Sequence, residues 1–100
     1  MVVGSFFPNF DSGELIPFIS NSKNTYNVVK DGFLSFSFYS CGSGDIYLEV
    51  NGKRLYYTTS TGSSYVTNIT GFIPVKSGNV ITYKPGSSGG YYFYFFPIIQ

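Results

Sequence analysis

Residues 32–39, Gly-Phe-Leu-Ser-Phe-Ser-Phe-Tyr, alternate apolar and small polar side chains with a period of two. Leu34, Phe36 and Phe38 share one face, Ser35 and Ser37 the other, and Phe33 and Tyr39 stand at the ends. One face of a helix recurs every three to four positions, so only a strand packed on one side uses this spacing. Asp45-Ile-Tyr-Leu-Glu-Val50 repeats the pattern, with Ile46, Leu48 and Val50 inward and Tyr47 and Glu49 outward. Asn51-Gly52 follows, a pair suited to the positive φ angles of a tight hairpin turn. Lys53 to Thr59 then returns antiparallel, with Leu55 and Tyr57 expected inward.

Weaker strands complete the set. Glu14 to Ile19 contains Pro17 and belongs at an edge or bulge. Thr25 to Lys30 leads into Asp31-Gly32, a second turn signal, and Tyr65 to Ile73 is rich in β-branched residues but broken by Gly71. Residues 74–79, Pro-Val-Lys-Ser-Gly-Asn, read as a tight turn delivering Val80 to Lys84, and a flexible loop at 86–90 precedes the last strand. Turns every eight to twelve positions give about eight strands, the signature of a sandwich or barrel. Ala, the best helix former, is absent, and no stretch supports a helix longer than a turn. The expected fold is all-β: one antiparallel jelly-roll sandwich occupying residues 1–100.

The last strand departs from one-sided alternation. Tyr91, Phe93 and Phe95 occupy one face and Tyr92, Tyr94 and Phe96 the other, so both faces are aromatic. One face lines the core; the other packs under a loop or meets a second chain, because a bare aromatic strand is an aggregation site. Aromatic residues make up 21% of the chain and charged ones only 11%, against about 25% charged in ordinary domains, so a subunit interface is favoured. Tyr92, Tyr94 and Phe96 are the expected interface residues.

Other counts exclude classes of chemistry. Without His there is no Ser-His-Asp or Cys-His machinery and no imidazole metal site. A net charge of +1 is too small for a phosphate-binding surface, so nucleic acid is not an expected partner. The single Cys41 forms no intrachain disulfide and has no neighbouring base to activate it. No apolar window is long enough for a transmembrane helix, so membrane insertion is not expected. No metal or other cofactor is expected.

The order of motifs resembles the C-terminal head domains of bacteriophage tail fibres. The carriers are Phe7-Pro-Asn-Phe-Asp-Ser-Gly-Glu-Leu-Ile16, Tyr26 to Val29 with Lys30-Asp-Gly-Phe-Leu-Ser-Phe36, and Ile46-Tyr-Leu-Glu-Val-Asn-Gly-Lys53. Ile73-Pro-Val-Lys-Ser-Gly-Asn-Val-Ile81 and the aromatic close Phe-Phe-Pro-Ile complete a likeness that covers nearly the whole chain. Each motif is only a turn plus alternating apolar residues; order and spacing carry the weight. The layout also resembles complement-type and tumour-necrosis-factor-like heads, which are trimeric jelly rolls. Asn79 stands where the family often has Asp, which keeps the turn chemistry and argues against a metal role there.

The resemblance implies a homotrimeric, non-enzymatic tip on an extracellular virion fibre, made in the bacterial cytoplasm, that docks on a bacterial surface receptor, protein or glycan. Three hydroxyl-rich loops are candidate contacts: residues 40–45 with Ser43 and Asp45, residues 58–65 with Ser60, Thr61, Ser63 and Tyr65, and residues 86–90 with Ser87 and Ser88. Tyr beside small hydroxyl residues suits saccharide recognition. For any one loop a solvated connection is the favoured reading, and Tyr56, Tyr57, Tyr65 and Tyr83 read as cross-strand packing. Lys53-Arg54 is a candidate for an acidic sugar or phosphate, against its role as a solvated hairpin tip. A structural trimerisation cap, a carbohydrate-active enzyme using two of Asp11, Glu14, Asp31, Asp45 and Glu49, and a secreted signalling or complement-like head are the alternatives. Asn68-Ile-Thr70 fits a glycosylation sequon, which matters only in a eukaryotic secretory pathway.

Overall fold

A computed structural model of the chain describes residues 7–41, 44–60, 66–86 and 92–99. Eight strands follow one 3-10 turn (Phe10–Ser12): β1 Glu14–Leu15, β2 Asn24–Asn27, β3 Gly32–Cys41, β4 Gly44–Val50, β5 Lys53–Ser60, β6 Val66–Val75, β7 Val80–Lys84 and β8 Tyr92–Pro97. They form two four-stranded antiparallel sheets in the orders β1-β8-β3-β6 and β2-β7-β4-β5. Every connection between consecutive strands changes sheet except the β4–β5 hairpin. That interleaving is the jelly-roll order expected from the sequence.

The alternation sets the core. Leu34, Phe36 and Phe38 of β3, Ile46 and Leu48 of β4, Ile81 and Tyr83 of β7, and Phe93 and Phe95 of β8 are all buried between the sheets. Phe93 is the hub: its ring centroid lies 4.6 Å from that of Tyr83 and 5.4 Å from that of Phe38, both edge-on. Edge-to-face pairs of this kind add about 0.5–1.5 kcal/mol beyond area burial. The phenol of Tyr83 donates to the carbonyl of Pro17 at 2.9 Å, so the buried hydroxyl is satisfied. Burial, and then the nearby Tyr26, push its pKa up to about 12.

Turn chemistry is as the residue types require. Asn51 and Gly52 both adopt positive φ, 52° and 82°, and the Asn51 side chain accepts from the Val80 amide at 2.8 Å. At 76–79 the Asn79 side chain accepts from the Lys76 amide at 2.8 Å, so Pro74 and Val75 belong to β6 rather than to the turn. Glu14–Leu15 is the only ladder formed by the segment expected to run to Ile19. Beyond Ile16, whose amide still reaches Phe93, Pro17 has no N–H to continue pairing.

The hairpin carries the main correction. Leu55 and Tyr57, expected inward, are exposed, and Tyr56 packs on the core instead. Register shifts by one between the pairs Glu49–Arg54 and Leu48–Tyr56, so Leu55 is an extra residue in a β-bulge. One inserted residue reverses the phase of everything after it. Tyr56 meets Phe36 edge-on at 4.9 Å, over Gly71 of β6. A methyl on Gly71 would stand 2.7 Å from Phe36 and 2.8 Å from the Tyr56 ring, so this break in the strand pattern is the space the bulge's tyrosine fills.

Candidate functional site

The outer face of the first sheet is aromatic and uncharged. Glu14 is the only charged residue in its four strands, and it lies in edge strand β1. Register puts Tyr92 opposite Ser37, Tyr94 opposite Ser35 and Phe96 opposite Phe33, with Phe72 on the far side of Ser35. The rings form a continuous contact path. Tyr92 lies 6.2 Å from Tyr94, Tyr94 5.8 Å from Phe96, and Phe96 5.1 Å from Phe10 of the 3-10 turn. Phe10 lies 6.3 Å from Phe72, which stacks on Phe33 at 5.3 Å. Phe10 is 65% exposed, Phe72 47% and Tyr94 37%. The three residues expected at an interface therefore stand together, in the outward arrangement the alternation required. Phe10, Phe33 and Phe72 join them; only the pairing register reveals that, although the sequence already placed Phe33 at the end of its strand.

The loop candidates divide. Ser43, Thr61, Ser63, Tyr65, Ser87 and Ser88 lie outside the described residues. Asp45 is not a loop residue: it sits in β4 opposite Thr59, whose hydroxyl donates to its carboxylate at 2.7 Å. Ser60 ends β5 opposite Gly44. The strand ends that flank 42–43, 61–65 and 87–91 gather at one end of the sandwich, since Cys41 pairs with Val66, Gly44 with Ser60, and Tyr92 with Ser37. Phe7 and Ile99 meet at the other end, where the Ile99 amide donates to the Phe7 carbonyl at 3.0 Å.

A cleft of about 420 Å³ opens on the β1 side beside Phe95, lined by Asn9, Ser12, Glu14, Lys30 and Asp31. Its charges are mostly engaged in holding the fold. Asp31 accepts from the Ser77 amide at 2.9 Å, and Glu14 acts on the Tyr26 phenol, whose pKa is raised by burial first and by this carboxylate second. Of the five carboxylates, Asp45 and Glu49 are taken by Thr59 and Arg54. Among the described residues no group of three or more acidic or Cys side chains is placed to hold a metal ion, and no helix is long and apolar enough to cross a membrane.

The outer face of the second sheet is polar. The bulge places Tyr57 directly opposite Tyr47, and Lys84 lies opposite Tyr47 on its other side. The Arg54 guanidinium carbon stands 4.6 Å from the ring centroids of both Tyr47 and Tyr57. Its Nε donates to one Glu49 carboxylate oxygen at 3.2 Å and its Nη2 stands 3.1 Å from the same oxygen. Tyr83, by contrast, is buried in the core and Tyr56 packs against it. Comparison of the chain with protein-family models, curated proteins and solved structures found no match in any of the three.

Proposed function

We propose that the chain is a self-associating attachment head, a homotrimeric tip of a phage-type fibre that binds a receptor on a bacterial surface. The observation that carries the self-association is the uncharged ring path Tyr92–Tyr94–Phe96–Phe10–Phe72–Phe33 on one outer face. Exposed aromatic patches rimmed by polar residues mark interaction surfaces, and aromatic enrichment with charge depletion is the composition of an interface centre. Neighbouring copies of the same chain, set around a threefold axis, cover it without requiring charge complementarity, and homo-oligomers close by symmetry. Threefold symmetry and the receptor come from the likeness to tail-fibre heads. The jelly-roll order supports that likeness, although a fold hosts many functions.

Sedimentation of the purified chain tests the assembly. A trimer at micromolar concentration is expected, and a clean 11.1 kDa monomer overturns it. Adherence of labelled protein to a panel of bacterial cells tests attachment. A stable trimer that adheres to none leaves a structural cap as the reading.

A further inference from the structure

We infer that the outward cluster of Tyr47, Arg54 and Tyr57, with Lys84 beside it, is a binding site for a carboxylate-bearing sugar. It deepens the attachment reading by naming a receptor chemistry, and rests on that reading only for where such a sugar would be found.

The cluster exists because of the bulge. Without the extra residue at Leu55, alternation would put Tyr57 on the face opposite Arg54; with it, both stand outward with Tyr47 between β7 and β5. Bulges occur at sheet edges where a side chain is re-aimed, and β5 is an edge strand. The re-aiming leaves Leu55 54% exposed, and it assembles one aromatic row with Lys84 at its end and Arg54 lying over both rings. Lys84, Tyr47 and Tyr57 sit on three adjacent strands, so the row spans roughly 10 Å at ordinary strand spacing. That is the reach of one or two pyranose rings.

The chemistry of the row selects an acid. Arg54 is held on two rings and by Glu49, so its planar fork is fixed before any ligand arrives. Nε and Nη2 face Glu49, and among the described residues Nη1 takes no partner. The Lys84 ammonium likewise has no carboxylate partner among the described residues. The face also carries Asp45, whose carboxylate is held by the Thr59 hydroxyl, so the anion is drawn not by net charge but by the Arg54 Nη1 and the Lys84 ammonium, and the tyrosines add apolar edges and hydroxyls for a sugar ring.

The test uses the intact chain and oligosaccharides of galacturonic, glucuronic and N-acetylneuraminic acid, with the methyl-esterified galacturonate oligomer and inorganic polyphosphate as controls. At least one acidic oligosaccharide should bind, and Arg54→Gln should weaken it about tenfold, as expected for a lost charge-assisted bond. The ester should lose about as much as Arg54→Gln does, Tyr57→Leu and Lys84→Gln should each lose less, and all three variants should keep the parent melting temperature. Equal binding by the ester or by Arg54→Gln overturns the site. So does polyphosphate that binds as tightly as the sugars, and so does a complete absence of acidic-sugar binding. A protein that binds the acidic probes yet adheres to no bacterial cell overturns the attachment reading alone.

Discussion

The two outer faces of this sandwich have the same pleat and strand spacing but opposite chemistry. Over β8, β3 and β6 the outward positions include Tyr, Phe, Ser, Thr, Asn68 and Pro74, with no charge; over β2, β7, β4 and β5 they include Lys84, Asp45, Glu49 and Arg54. An antiparallel sheet ordinarily keeps one face wet, and the second sheet does so. The first exposes its outer face too, but covers it with aromatic rings that touch one another as they would inside a protein. On the proposed self-association, one sheet is buried on both faces and the other on one.

The largest expected effect separates inside from outside on one strand. Phe93→Ala should cost about 3–5 kcal/mol in urea denaturation, because a fully buried ring leaves a cavity. Tyr94→Lys, one residue on, should leave protomer stability within about 1 kcal/mol and dissociate the assembly in sedimentation. If Tyr94→Lys changed neither property, the contrast between the two faces would lose its functional meaning.

Next in size, Gly71→Ala should cost about 1–3 kcal/mol by overpacking against Phe36 and Tyr56. A double-mutant cycle with Tyr56→Leu should recover part of that loss, which checks that the bulge's tyrosine is what the glycine accommodates. A third test is alkaline titration. The folded pKa of Tyr83 is raised to about 12 from 10.0, so its contribution is intact below pH 10 and lost as pH rises towards 12. Tyr26 shifts in the same direction, by burial and then by Glu14. Following phenolate absorbance, these two should ionise after the exposed tyrosines, in step with unfolding. The smallest effect belongs to the polar face: Glu49→Gln should cost no more than about 1 kcal/mol in thermal denaturation, because its Arg54 pair is half-exposed.

What the sequence revealed follows from what is local. Alternation in 32–39 and 45–50 and the Asn51-Gly52 turn fix faces and register over a few residues, so Leu34, Phe36, Ile46 and Leu48 were readable as core. The split of the last strand into Phe93 and Phe95 against Tyr92, Tyr94 and Phe96 was readable for the same reason. The bulge at Leu55 was not, because nothing in Lys-Arg-Leu-Tyr-Tyr marks which residue is extra; that choice is made by Gly71, on another strand and in the other sheet. The joining of Phe10 and Phe72 to the β8 rings was hidden likewise, since it depends on pairing between distant segments. Asp45 was read both as the start of its strand and as a loop contact, because β4 begins at Gly44, two residues before its first apolar side chain, Ile46.

The pairing of Phe7 with Ile99 and of Asn9 with Pro97 also has a mechanical consequence. A pull that separates these two points opens the contacts one after another, as a zipper does. A load that enters β3 at Gly32, at the Phe7 end, and leaves β6 at Val66, at the opposite end, runs along the strands, and the ten-residue β3–β6 ladder resists it with its bonds in shear together. The domain is therefore weak to one direction of force and strong to the other, and a tether at the Phe7 end loaded from the far end works it in its strong direction.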